Sequence, residues 1–121
     1  MGITGVLLII CGAGLSWAAE ATASGRMGIN SLVGIRVGYV TVSEPAWRAG
    51  HRAARPLTHA AAGVFAALGI FALVFCGAES TSGAAIISGS LLVLGLILAA
   101  AVKANRAARA VVLAASPHGR A

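Results

Sequence analysis

Three long apolar stretches, separated by polar connections, dominate the pattern of the chain. Residues 2–19, 57–76 and 83–102 contain no aspartate, glutamate, lysine or arginine. An α-helix needs about 20 apolar residues to cross the roughly 30 Å hydrocarbon core of a bilayer. Each stretch therefore predicts a membrane-spanning helix, and the first, which is slightly short, is accommodated by local thinning of the bilayer or by its flanking residues. The pattern predicts an all-α membrane protein with three transmembrane helices, forming a single domain over residues 1–121.

The first two stretches are joined by residues 20–56, where the pattern changes. In the segment "SEPAWRAGHRAARP", Ser43 is suited to cap a helix N-terminus, Pro45 is tolerated in a first turn, and Pro56 would end the helix. At 100° per residue, polar side chains occupy about one third of the helix surface. They are Glu44, Arg48, His51, Arg52 and Arg55. We therefore predict a short cytoplasmic amphipathic helix over residues 43–55, which lies on an anionic membrane surface before the chain turns at Pro56 into the second span.

Ahead of this helix, the segment "RMGINSLVGIRVGYVTV" has glycines among β-branched residues and predicts a connecting loop. Arg36 lies between Ile35 and Val37, and a cation among apolar neighbours needs a partner. We expect that partner to be Glu44, Glu20 or the carbonyl groups at a helix C-terminus.

Basic residues predict the orientation of the spans. They fall only in the connection 20–56 and in the tail 103–121, as Arg26, Arg36, Arg48, Arg52, Arg55, Lys103, Arg106, Arg109 and Arg120. The connection between the second and third spans holds only Glu79, and no charged residue precedes Glu20, which also argues against a cleaved signal peptide. The positive-inside rule then places the N-terminus outside and both basic regions in the cytoplasm. Eight arginines against one lysine, with abundant alanine, favour a bacterial plasma membrane. The tail keeps a helical pattern, so we expect the third helix to extend into it and to bend along the membrane.

Composition agrees with a membrane protein and changes the interpretation of the charge. Hydrophobic residues make up 59% of the chain and charged residues 10%, against about 25% charged in an average soluble domain. A net charge of +6 would suit a nucleic-acid-binding protein, but membrane topology already explains where the cations lie, and no aromatic platform accompanies them. We therefore expect an anionic inner leaflet as the lipid partner and no nucleic acid.

Residues that could carry chemistry are few. Cys11 and Cys76 lie in apolar stretches without metal-ligand or redox spacing, and no glycine-rich phosphate-binding motif is present. His51 and Glu44 are nearly two helical turns apart, too far for a catalytic pair. His59, at the cytoplasmic start of the second span, is expected to meet water, and its spacing from His51 is unsuitable for a metal. We expect no enzyme activity, no metal and no cofactor.

Small residues four apart occur in every span, and such pairs let helices approach closely in a membrane. The pairs are Gly12 and Ser16, Gly63 and Ala67, and Ala85 and Gly89. Packing among the three helices explains them, and an interface with a second copy or with another membrane protein is the alternative.

The connection also carries an ordered motif: Asn30-x3-Gly34-Ile35-Arg36, then Ser43-Glu44, then Trp47-x3-His51-Arg52. This order resembles the signature of the SdpI family of small bacterial membrane proteins, in which it lies in a cytoplasmic loop that enters a transmembrane helix. The three-span layout extends the resemblance over most of the chain, as in the short, single-unit members. The sequence departs from the family after Arg36: Val37 stands in place of the usual threonine, and Gly38 and Tyr39 follow where the family often has a tryptophan.

The resemblance implies a non-enzymatic integral membrane protein that acts by binding a partner. Its role would be immunity to a secreted peptide toxin, or signalling that sequesters a transcriptional repressor. The partner would be a membrane-active peptide outside or a cytoplasmic regulator on the basic face. The candidate partner-binding or membrane-anchoring residues are Asn30, Gly34, Arg36, Trp47, Arg48, His51, Arg52 and Arg55. The alternative function is a structural accessory subunit that packs on a larger bacterial membrane complex through small-residue helix faces.

Overall fold

A computed structural model describes residues 2–75 and 79–117, except for the side chains of residues 79–82. The described chain is helical and without strands, and its three long helices are α1 (Gly2–Ala23), α2 (Glu44–Val74) and α3 (Glu79–Ala115). A short 3₁₀ turn, Gly38–Thr41, interrupts the connection between α1 and α2. All three helices are long and apolar enough to cross a membrane. The chain is thus a multi-pass membrane protein, and the predicted all-α fold with three spanning helices is confirmed.

Helix α2 occupies the centre of the bundle. α1 and α3 each run antiparallel along it, and within the described residues α1 and α3 do not approach each other closely. The contact with α1 depends on glycine, because a β-carbon at Gly5 would lie 2.8 Å from the carbonyl oxygen of Gly69. About two helical turns further along α1, a β-carbon at Gly12 would lie 2.7 Å from the carbonyl oxygen of Ala62. Membrane helices commonly pack in this way, through positions where side chains are absent or small.

Helix α3 packs on α2 through a stripe of alanines. Ala100, Ala104 and Ala108 are fully buried, and because they repeat every four residues they stay on one side of the helix. A β-carbon at Gly50 of α2 would lie 3.1 Å from the carbonyl oxygen of Ala104. Close backbone approach therefore holds both outer helices to the central one.

The predicted small-residue pairs are used unequally. Gly12 lies in the contact between α1 and α2, and Gly89 packs against the side chain of Leu68. Gly63 and Ala67, by contrast, are exposed, so α2 meets α1 through other small residues and leaves this pair facing the lipid.

Pro56 lies inside α2 and does not end it. The predicted separate helix over residues 43–55 is therefore wrong, because that segment is the first part of one continuous helix. Proline removes one helical hydrogen bond, but packing on the neighbouring helices holds the flanking turns, where Ala54 and Thr58 are buried. Membrane helices tolerate proline for the same reason.

The first turns of α2 are amphipathic, but their apolar face is covered by protein. Ser43 caps the helix as predicted, accepting a hydrogen bond from the Ala46 amide at 3.3 Å. Trp47 and His51 are buried, so His51 belongs to the packed face and not to the polar face. The residues that remain exposed on the polar face are Glu44, Arg48, Arg52 and Arg55.

Helix α3 is longer than a bilayer is thick. Its 37 residues extend about 55 Å at 1.5 Å per residue, against roughly 30 Å for the hydrocarbon core. The predicted extension into the tail is confirmed as far as Ala115, in one continuous helix. Cys76, the predicted end of the second span, and Arg120 lie outside the described residues.

Replacing Gly69 by alanine is expected to destabilise the bundle, because the new β-carbon would lie 2.6 Å from the Gly5 carbonyl oxygen. Overpacking costs about 1–3 kcal/mol, whereas alanine gains roughly 1 kcal/mol over glycine within a helix. Gly63→Ala is the matched control, since nothing lies within 4 Å of a β-carbon there. Thermal unfolding in detergent should give a lower Tm for Gly69→Ala and an equal or higher Tm for Gly63→Ala. The reverse order would contradict the packing.

Candidate functional site

The basic residues of the described chain gather at one end of the bundle, where α1 finishes, α2 begins and α3 projects. We call this the basic end, and its cations are Arg26, Arg36, Arg48, Arg52, Arg55, Lys103, Arg106 and Arg109. Residues 24–43, which connect α1 to α2, fold over it, and we call them the cap. The 3₁₀ turn of the cap packs against α2 and α3, with Val40 fully buried. The basic end is therefore a structured surface.

Side chains of α2 hold the cap by binding its backbone. The cap forms no strand, and its only helical turn is the 3₁₀ turn Gly38–Thr41, so many of its amide and carbonyl groups need other partners. Three of these partners come from α2: the Trp47 Nε1–H donates to the Met27 oxygen (3.0 Å), the Glu44 Oε1 accepts from the Ile29 amide (3.2 Å), and the His51 Nε2 accepts from the Ile35 amide (2.8 Å). The conformation of the cap is thus specified by side chains of the helix beneath it.

Asn30 closes a turn within the cap. Its Oδ1 accepts from the amides of Leu32 and Val33 at 2.9 and 2.7 Å. Its Nδ2 donates to the carbonyl oxygens of Gly28 and Val33 at 2.9 and 3.0 Å. Asparagine stabilises turns by such bonds to the backbone a few residues on. Asn30 therefore acts inside the cap, and the turn presents Leu32 with 90% of its surface exposed.

Gly34 lies where the cap crosses α2. Its φ of +114° falls in a region that residues with a β-carbon avoid. A β-carbon there would also lie 2.7 Å from the Trp47 Cη2 and 2.8 Å from the His51 Nε2. Both the backbone conformation and the available space require glycine at this point.

The hydrogen bonds of His51 define its protonation state. The Nε2 atom accepts from a backbone amide, so the proton of the neutral ring is on Nδ1, which donates to the Trp47 carbonyl at 2.8 Å. The two rings lie 4.2 Å apart. His51 lies in the charged first turns of α2, ahead of the uncharged stretch that begins at Leu57, and burial lowers the pKa of its imidazole. The folded cap therefore binds a neutral His51.

Helix α3 holds the other half of the cap. The Oδ1 atom of Asn105 accepts from the Tyr39 amide at 2.9 Å, next to the buried Val40. Sequence reasoning missed Asn105, although an uncharged polar residue stands out among the alanines and cations of the tail. Because of this bond, the cap bridges α2 and α3.

The arginines of α2 lie on the surface of the basic end beside the C-terminus of α1. Arg52 Nε donates to the carbonyl of Ala23, the last residue of α1, at 3.3 Å. A cation is favourable at a helix C-terminus, where carbonyl groups lack helical donors. Arg48 lies over Gly25, the next turn of the chain. These residues join the end of α1 to the start of α2.

Arg36 is exposed, and its Nη1 lies 3.5 Å from the Ser31 carbonyl oxygen. The expected pairing with Glu44, Glu20 or a helix C-terminus is therefore wrong. The cap places Arg36 on its outer side, where water solvates the charge, and Glu44 binds the Ile29 amide instead.

Four polar side chains form a second network between α1 and α2, which we call the interhelical cluster: Ser16, Glu20, Arg55 and His59. Glu20 Oε1 accepts from Arg55 Nε at 2.8 Å and lies 2.6 Å from His59 Nε2, and His59 Nδ1 lies 2.8 Å from Ser16 Oγ. An ionised carboxylate can only accept, so Nε2 carries a proton and donates to Glu20, and in the neutral ring Nδ1 accepts from the serine hydroxyl. His59, expected to meet water, joins two helices while its side chain stays 34% exposed.

The interhelical cluster has a signal in the sequence that our reasoning missed. Ser16 and Glu20 are four residues apart, as are Arg55 and His59. Residues at this spacing share one face of a helix. Two such polar pairs, one on each of two neighbouring spans, predict a contact between those spans.

The order serine, histidine, carboxylate in this cluster invites comparison with hydrolases. Nucleophilic catalysis at a serine also needs N–H donors aimed at the developing oxyanion. Ser16 lies within α1, where the backbone amides are already used by the helix. The cluster is therefore better suited to joining the helices than to acyl transfer.

The predicted site residues fall into two sets. Asn30, Gly34, Trp47 and His51 lie inside or beneath the cap and hold it. Those that lie on the surface are Arg36, Arg48, Arg52 and Arg55. The structure brings all eight to the basic end, and it adds Glu44 and Asn105 as further residues that hold the cap.

Comparisons with known proteins add no relative. No protein-family model, curated protein or solved structure matches the chain. Within residues 2–75 and 79–117, no group of three histidine, cysteine, aspartate or glutamate side chains could hold a metal ion.

Replacing Gly34 by alanine is expected to detach the cap, because the β-carbon would meet both rings beneath it and the backbone would be strained. Hydrogen exchange of the peptide that contains the Ile35 amide should then be faster by about tenfold or more. Gly14→Ala is the control, because a β-carbon there has nothing within 4 Å. Unchanged protection in Gly34→Ala would show that the cap is not held at this point.

The cap is also expected to loosen in acid. Burial lowers the pKa of His51 while the cap is bound over it. The cap therefore binds most strongly above pH 6.5, where the imidazole is neutral also when the cap is detached, and it binds more weakly as the pH falls below that value. One proton taken up on release changes the docking equilibrium by up to about tenfold per pH unit. Protection factors of the Ile35 amide, measured between about pH 8 and pH 5, report this directly. A His51→Gln variant that loses protection in parallel with the wild type would assign the effect to another group.

Proposed function

We propose that the chain is an SdpI-like integral membrane protein that acts by binding a partner rather than by catalysis. The use of the motif residues supports this best. Asn30, Gly34, Trp47 and His51 hold the cap in shape, while the neighbouring arginines stay exposed. A motif dispersed along the chain thus serves one structured surface, as expected of a docking site whose shape and charge are set by different residues.

The proposed location is a bacterial plasma membrane, with the N-terminus outside and the basic end in the cytoplasm. Every cation of the described chain lies at that one end. The positive-inside rule favours this orientation, and the anionic inner leaflet attracts the arginines that surround the cap.

The surface of the basic end suggests the chemistry of a cytoplasmic partner. Leu32 stands out from the cap, and Arg36 lies exposed a few residues away. An exposed leucine close in sequence to an exposed arginine suits a partner that has an apolar pocket for Leu32 and acidic residues around it for Arg36. The pocket would exclude water from the contact. Such a partner would be a cytoplasmic regulator, and the associated role is immunity to a membrane-active peptide or signalling in response to one.

Acidic substitutions on the cap test the proposal. Arg36→Glu and Leu32→Asp should each reduce capture of the cytoplasmic partner, measured by in-cell crosslinking and copurification, by about tenfold or more. Arg109→Glu makes the same charge change on α3 instead of the cap and should retain capture. An equal loss in Arg109→Glu would show that net charge, and not the cap, is recognised.

Toxin challenge tests the role. Cells that lack the gene should survive a membrane-active peptide toxin less well than cells that carry it, and the wild-type gene should restore survival. Unchanged sensitivity to every toxin tested, together with no captured partner, would contradict the proposal.

A second candidate function is an accessory subunit of a larger bacterial membrane complex. The observation that favours it is the exposure of Gly63 and Ala67 on the lipid-facing side of α2, since small residues suit close contact with another helix. Purification in a mild detergent separates the two functions, because a stoichiometric membrane partner would support the subunit and its absence would count against it.

A further inference from the structure

A groove runs between α1 and α2 on the side of the bundle that faces the lipid. It has a volume of about 330 Å³. Its walls are formed by Ile9, Ala13 and Ser16 of α1 and by His59, Gly63 and Ala66 of α2. The groove is apolar along most of its length and ends at the interhelical cluster.

Close helix packing explains why the groove exists. The glycine contacts Gly5–Gly69 and Gly12–Ala62 draw the two backbones together. Between Ile9 and His59 at its ends the wall residues are small, and nothing lies within 4 Å of a β-carbon at Gly63. The two helices therefore leave between them a groove that their own side chains do not fill.

Two arginines of α2, Arg55 and Arg52, lie about one and two helical turns beyond His59, past the polar end of the groove, and their hydrogen-bond donors are only partly used. Arg55 binds Glu20 through Nε, and Arg52 binds the Ala23 carbonyl through Nε. The Arg55 side chain is 51% exposed, and Arg52 is exposed as well. A guanidinium has further N–H donors on its two Nη atoms, and the described chain provides no partner for them. These are the donors that bind phosphate oxygens best.

The groove and the arginines beyond it together match the depth of one leaflet. The lining of the groove on α1 runs from Ile9 to Ser16, and Glu20, which binds Arg55, follows one turn later. From Ile9 to Glu20, α1 rises about 16 Å, and half of a hydrocarbon core of roughly 30 Å is about 15 Å. With Arg55 at the depth of the lipid phosphates, the apolar groove would lie at the depth of the acyl chains.

We propose that this groove binds one anionic phospholipid, with its phosphate on Arg52 and Arg55 and one acyl chain along Gly63 and Ala66. The charge favours this occupant over a second helix, because an apolar helix brings no anion to the two arginines. The proposal is independent of the partner at the cap, and it gives the lipid a defined site in place of a diffuse attraction to the leaflet.

Lipid retention tests the proposal. The protein is reconstituted in vesicles of equal parts phosphatidylcholine and phosphatidylglycerol and extracted in a mild detergent, and bound lipid is counted by native mass spectrometry. The wild type should retain one phosphatidylglycerol per chain. Gly63→Leu fills the groove and should lower this retention by about fivefold or more. Gly95→Leu, the same change on α3 where a β-carbon meets nothing within 4 Å, should retain lipid like the wild type.

The headgroup is tested separately. Arg52→Gln combined with Arg55→Gln should lower retained phosphatidylglycerol relative to phosphatidylcholine by about tenfold or more. Wild-type retention in this variant would overturn the assignment of the phosphate, and wild-type retention in Gly63→Leu would overturn the groove. If Gly63→Leu instead converts a dimer into a monomer, the occupant is a second copy and the proposal is wrong. Thermal unfolding of each variant confirms that the bundle is folded.

Discussion

Backbone amides and carbonyls near a membrane must find partners, and this constraint shapes the end of the bundle. The three helices satisfy their own backbone groups, but the cap has almost no regular structure that could do so. Trp47, Glu44 and His51 on α2 and Asn105 on α3 supply the missing donors and acceptors. The shape of the basic end, and with it any surface that the cap offers, follows from these few side chains.

Close packing provides the frame on which they act. Because α2 contacts both outer helices through glycine and alanine, the side chains at its two sides are held at fixed heights relative to α1 and α3. That register brings His59 to Glu20 on one side and Val40 to the alanines of α3 on the other. A bulkier residue at one of the glycine contacts would disturb the register of α2 against that neighbour.

Hydrophobic pattern was sufficient to predict the three spanning helices, because no other part of the chain has uncharged stretches of that length. The N-terminal capping of α2 by Ser43 and the extension of α3 also followed from local signals. The passage of α2 through Pro56 did not, because no local pattern shows that neighbouring helices hold the turns on either side of the proline. Contacts such as Ser16 with His59 and Tyr39 with Asn105 depend on the register between separate elements, which no local pattern contains. Orientation, family and partner stay predictions.

The continuity of α2 has a mechanical consequence. A single helix, α2, carries Trp47 and His51, which bind the cap, and Gly69, which contacts α1 near the other end of the bundle. Between these points lies Pro56, where the helix lacks one of its internal bonds. A change in the tilt of the half of α2 after Pro56 is transmitted to the half before it, less the amount by which the helix bends at the proline. The stiffness of the helix at Pro56 therefore determines how strongly the two ends of the bundle are coupled.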